Sequence, residues 1–170
     1  MPKGLKQTSS MIVIGASAVE SAAGTLTSEQ ISLQLNALDN EVFVVTAVDL
    51  DPQLTEQVAG GLTTNTAWVT KQSPNGVRPT YAQSNVIANK VVAQDNTGGD
   101  GFTLFQTASI ETPATTMQYL DIIATPDFFL NIQGSGNANP MSVACKLYGY
   151  RARADASTYA ALVQSEVLSS

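Results

Sequence analysis

Histidine is absent from this 170-residue chain. That removes Ser-His and Cys-His catalysis in their usual forms, and it removes any histidine-bound zinc site. There is one cysteine, Cys145, so no disulfide can form within the chain and cysteine spacing says nothing for or against secretion. Cys145 stands in an apolar strand pattern and reads as a small buried hydrophobe. Charge is scarce too. Charged residues make up 13% of the chain, about half the usual share. Only eight are cations, and they are scattered: Lys3, Lys6, Lys71, Arg78, Lys90, Lys146, Arg151 and Arg153. The net charge is −6 and the pI about 4.4. A protein that grips nucleic acid over a wide area presents a basic patch, so extensive nucleic-acid packaging is disfavoured. No apolar run reaches the length of a membrane span.

The N-terminus imitates a leader. Lys3 and Lys6 precede "MIVIGASA", which ends in Ala16-Ser17-Ala18. Its strongly apolar core spans only Met11 to Ile14, too short for the central region of a signal peptide. The preferred reading is therefore not a signal peptide.

Alternation dominates what remains. In residues 28–36, Ile31, Leu33 and Leu35 fall on one face, with Ser32, Gln34 and Asn36 on the other, the period of a half-buried strand. Residues 41–51 form a β-branched run closed by Asp51-Pro52. Residues 53–59 predict one or two helical turns. Strands are predicted over 65–72, 85–94, 102–109, 117–125, 127–133 and 141–153, the last with a bend at Gly149. Pro74, Asn75-Gly76 and Pro79 mark a loop. The tail changes period: Tyr159, Leu162, Val163 and Val167 predict a short helix over 157–167, with a final strand as the alternative. Eight or nine short strands leave no room for crossover helices, which predicts one all-β domain, an antiparallel sandwich or barrel.

"DFFLNIQGSGNANP" tests for chemistry. Gly134-Ser135-Gly136 after a strand resembles the start of a dinucleotide-binding loop. That loop needs a helix behind it, and here Asn139-Pro140 leads into another strand. A turn between strands fits better. Asp49/Asp51 and Asp95/Asp100 are the carboxylate pairs to check against a glycosidase arrangement, and solvated strand ends are preferred. "DNTGGDG" offers Asp95, Asn96 and Asp100 as candidate calcium ligands, but it lacks the ordered spacing of an EF-hand loop, so a plain solvated loop is the preferred reading. No cofactor, catalytic set or firm metal site is predicted, and the chain is read as not an enzyme. Most aromatics sit within strand patterns and are read as core or interface.

The run "YLDIIATPDFFLNIQGSGNANPMSVACKLYGYRARADASTYAALVQ", 119–164, resembles the last three strands and chain end of a viral single jelly-roll capsid protein. The likeness is one of strand lengths and spacing rather than of a motif. It implies a single jelly-roll domain over 1–170, with extensions at 1–10 and 156–170. It also implies self-assembly with other capsid subunits and location in a virion. Many RNA-virus subunits carry an Arg/Lys-rich arm, and this chain has only Lys3 and Lys6, which suits a shell over an internal membrane or over separate internal proteins. Candidate interface residues are Lys3, Lys6, Arg151, Arg153, Tyr159, Leu162 and Val163. Both chain ends are expected to contact neighbouring copies. The alternative is a carbohydrate-binding or adhesin-like sandwich of a surface or phage-tail assembly.

Overall fold

A computed structural model describes residues 4–98, 101–108 and 117–168. Ten strands and one helix follow in order: β1 (Leu5–Gln7), β2 (Ile12–Val19), β3 (Thr27–Ser32), β4 (Glu41–Pro52), β5 (Leu62–Thr70), β6 (Val86–Asp95), β7 (Thr103–Ala108), β8 (Asp121–Ile123), β9 (Asp127–Ser135), β10 (Ser142–Ala154) and α1 (Ala156–Leu168). Every strand pairing is antiparallel.

The strands form two five-stranded sheets. In the first, β1 and β2 lie end to end along one side of β10, then come β4 and β8. The second runs β3-β9-β5-β6-β7. The chain crosses between sheets from β2 to β3, β3 to β4, β4 to β5, β7 to β8, β8 to β9 and β9 to β10. This is the jelly-roll connection, made by eight strands with β1 and β7 added to it. The all-β antiparallel sandwich and the C-terminal helix are therefore present.

The core lies between the sheets. Phe43, Val45 and Leu147 from the first sheet meet Val69, Phe128, Leu130 and Ile132 from the second. Alternation puts these residues inward because successive side chains on a strand point to opposite faces. Cys145 is buried among them, and burial pushes its thiol up to about 12.

Each sheet also has its outer face covered in part. On the first, Tyr159, Leu162 and Val163 of α1 pack over Val42, Val44, Ile122, Ala152 and Ala154. On the second, Trp68 points away from the core yet is only 2% exposed. The 71–85 connection folds back over it. Arg78 sits 5.2 Å above the indole ring and donates to Thr66 Oγ1 at 3.1 Å.

Several local expectations change. All of "MIVIGASA" after Met11 lies in strand β2, paired to β10 from Ile12↔Gly149 to Val19↔Ser142. The N-terminal extension contains β1, which pairs with Ala152–Ala154. The expected strand over 28–36 stops at Ser32, because Gln34 adopts φ 52° and Asn36 caps a 3₁₀ turn through its side chain. The expected helical turns over 53–59 do not form. The strand over 117–125 shortens to Asp121–Ile123. The bend at Gly149 is a register shift between Tyr148 and Gly149, where a Cβ would run into Val44 O and the Phe43 ring.

Candidate functional site

The loop that suggested a phosphate cradle is filled by the chain's own carboxylates. Glu20, at the end of β2, is buried. Its Oε1 accepts from Gly134 N at 2.6 Å and its Oε2 from Met141 N at 2.8 Å. Glu56 accepts from Ala138 N and from Asn139 Nδ2, each at 2.5 Å. Those bonds hold the exposed Glu56 carboxyl below its ordinary range, the Asn139 amide first among them. Asn137 completes the brace, donating to Thr64 O at 2.8 Å and accepting from Glu56 N at 3.0 Å. The backbone N–H groups a phosphate would need thus already face carboxylates, and a second anion would be repelled. Gly136 sits at φ +75° with Leu62 O 2.5 Å from where a Cβ would stand, so this is a turn that only glycine fits.

The other acidic candidates stay apart. Asp49 and Asp51 lie on the exposed face of the first sheet, opposite Lys146 and Ala144. Asp95 is engaged within its own loop, accepting from Thr97 N at 2.9 Å and Thr97 Oγ1 at 2.7 Å. The Thr97 hydroxyl, then its backbone N–H, hold that carboxyl below the usual range. Asn96 pairs with Gly61 and Gly60 through its backbone, and Asp100 lies outside the described residues. Among the described residues no three His, Cys, Asp or Glu side chains gather to hold a metal ion.

The interface candidates converge on one end of the first sheet. Lys3 lies outside the described residues. Lys6 is exposed on β1, directly across from Arg153. Arg153 pairs with Asp39 at 2.7 Å. Arg151 pairs with Glu41 at 3.2 Å and donates to Leu33 O and Gln34 O, so it braces the bend after β3. Asp155 N donates to Gly4 O at 3.0 Å, which sets the start of α1 beside the start of β1.

The tail, expected to contact a neighbouring copy, docks α1 on its own sheet within the chain. Asp155 caps it, accepting from Thr158 N at 2.8 Å and Ser157 Oγ at 2.7 Å. Near the other end Glu166, the one buried residue of the helix, accepts from Ala124 N at 2.7 Å and Thr125 N at 3.0 Å. Gln72 Nε2 donates to Glu166 O, and the Lys71–Asp121 ion pair, at 3.1 Å, stands beside the clasp. Burial pushes the Glu166 carboxyl above its ordinary range. The Ala124 and Thr125 donors and the Lys71 charge pull the other way without offsetting it. Tyr159, Leu162 and Val163 are half-buried in this contact.

Sequence reasoning missed Glu20, Glu56 and Glu166. Each holds backbone groups more than 40 residues distant in sequence, and nothing in its immediate neighbours marks it. No family model matches the chain, and a search of curated proteins finds no match either.

Proposed function

We propose that this chain is a structural subunit that self-assembles into a virus capsid shell. The observation carrying the reading is the jelly-roll strand order, with β2-β10-β4-β8 facing β3-β9-β5-β6. That architecture serves capsids, lectins and cupins alike. Two further features favour the first. Few charges leave a surface whose burial costs little desolvation. β1 and α1 are both tied down on one sheet, so each copy presents a rigid block to its neighbours. On this reading the protein resides in the virion with other capsid subunits. The net charge of −6 makes its direct nucleic-acid contact weak or absent, and an internal membrane or separate proteins lie beneath the shell.

Negative-stain microscopy and mass photometry of the purified chain test it. Closed particles with no nucleic-acid absorbance support the proposal, and a monomer at tens of micromolar rejects it.

A glycan-binding module is the second reading. It is favoured by one cleft of about 310 Å³, where the half-exposed Phe129 lies near Asp127, Gln72 and Asn75. An aromatic face beside amides and a carboxylate suits a sugar ring. Glycan-array binding by a monomer would establish it instead.

A further inference from the structure

A two-sheet sandwich has four edges, and this one guards them unequally. Edge strands expose unpaired backbone N–H and C=O groups, so folded proteins usually shorten them or place charge on them. On the second sheet, β3 carries Glu29, and Gln30 beside it donates to Asp127 Oδ2 at 2.7 Å. On the first sheet, β8 has only three residues, with Asp121 held by Lys71. β7 on one remaining edge and β2 on the other have neither device, although β1, which continues the β2 edge, is three residues long and carries Lys6. β7, TLFQTA, carries no charge and no proline, and all six residues are exposed. It pairs with β6 on one side and, among the described residues, with nothing on the other. β2, IVIGASAV, is eight residues long, carries no charge and, among the described residues, pairs with nothing on the side away from β10.

The two unguarded edges lie on opposite sides of the molecule. β2 packs over β3, while β4 packs over β5 and β6, which places β7 at the far side from β2. Their side chains also differ in size in a complementary way. β7 and its approach expose Phe102, Leu104 and Phe105. β2 turns Gly15 and Ser17 outward between the exposed Val13 and Val19, and the space above Gly15 is open, with nothing within 4 Å of a Cβ built there.

We propose that β7 of one copy pairs edge to edge with β2 of a second copy, an inference that rests on the assembly reading above. Three observations select another copy as the occupant. Only an extended backbone satisfies the row of donors and acceptors on β7, and among the described residues β2 is the longest open edge strand without charge. Six residues against eight, at about 3.4 Å each, are matched in length. The chain has a net charge of −6, so two copies repel overall, but this pair of edges adds no like charges to the contact. A partner bearing a strong charge would find no countercharge on β7. Because the two surfaces differ and face opposite ways, the contact is head-to-tail, and repeating it closes a ring where the rotation permits.

The test uses the full chain. Copies carrying Ala16→Cys or Ser17→Cys are mixed with copies carrying Phe105→Cys or Gln106→Cys under mild oxidation. Neighbouring positions cover both faces of each strand. A disulfide joining unlike copies is expected. Leu104→Lys should raise the half-assembly concentration at least tenfold, and Ser28→Lys on β3 should leave it unchanged. Circular dichroism reports that each variant is folded. If the wild type assembles but only like copies cross-link, or none do, or Leu104→Lys has no effect, the edge pairing is wrong while the assembly reading stands. If the wild type remains monomeric throughout, the assembly reading itself fails, and the edge pairing with it.

Discussion

Glu20 Oε1 accepts the Gly134 N–H at 2.6 Å, joining the end of β2 to β9 across 114 residues of sequence. Its other oxygen takes Met141 N, so one side chain closes both ends of the β9–β10 turn. Glu20→Gln keeps the shape but turns an amide donor toward one of those N–H groups. The loss is expected to be ~1–3 kcal/mol. A chain of this size should show it as a fall of about 2–4 °C in Tm per kcal/mol. An unchanged melting temperature would show that the bridge adds nothing.

The helix α1 is held by two carboxylates with opposite pH senses. Asp155 lies below its ordinary range, chiefly through the Thr158 N–H. Its contribution is present above the unfolded value of 3.8 and is lost as pH falls through the lowered one. Glu166 lies above its ordinary range through burial. Its contribution is present below the unfolded value of 4.5 and is lost as pH rises through the raised one. Docking should therefore be tightest between the two unfolded values, 3.8 and 4.5, and should loosen as pH falls below the first or climbs toward the raised Glu166 value. Hydrogen exchange of 156–168 against pH should pass through a minimum of opening there. Glu166→Gln should flatten the alkaline side, and Asp155→Asn the acid side.

Removal of 156–170 bears on folding as well as assembly. The sequence placed this segment as an extension expected to contact neighbouring copies. But α1 covers Val42, Val44, Ile122, Ala152 and Ala154. Exposing this patch, together with losing three half-buried side chains, should cost about 3 kcal/mol. Denaturant titration with a dye for exposed apolar surface should show lower stability and strong dye binding. A truncated chain as stable as the full one would place the helix outside the fold's energetics.

Cys145 should be silent toward thiol reagents in the folded state. Its thiol is buried and pushed up to about 12, so the reactive thiolate is scarce at pH 8. Labelling should follow global unfolding, with one equivalent released only in denaturant. Rapid labelling of native protein would mean that the core opens locally around β10.

Much of the fold was legible because period-two alternation is a local property. Ile31, Val143, Cys145 and Leu147 state their faces within a few residues, and the change of period at Tyr159 to Val167 marked α1. β2 was harder to see. Its inward residues run Ile12, Ile14, Ala16 and Ala18, and the small ones weaken the contrast with Gly15 and Ser17. The candidate site was less legible still. Glu20, Glu56 and Glu166 look like solvent-facing residues until the strands that carry their partners arrive.

Composition and spacing alone determined a β-sandwich with a helical tail, no histidine chemistry and no broad basic surface. They also removed the phosphate-loop reading of Gly134-Ser135-Gly136, since the strand after Pro140 leaves no helix, but the expected turn begins only at Gly136, because Gly134 and Ser135 stay paired to Asn65 and Thr64 within β9. Tertiary structure decided the rest. Sheet order determines which edges are open, and no residue carries that information by itself. Whether a glutamate is solvated or clasped depends on backbone groups brought from 40 to 120 positions away. The direction of the tail was decided the same way, because the apolar patch it covers exists only once β4, β8 and β10 lie side by side.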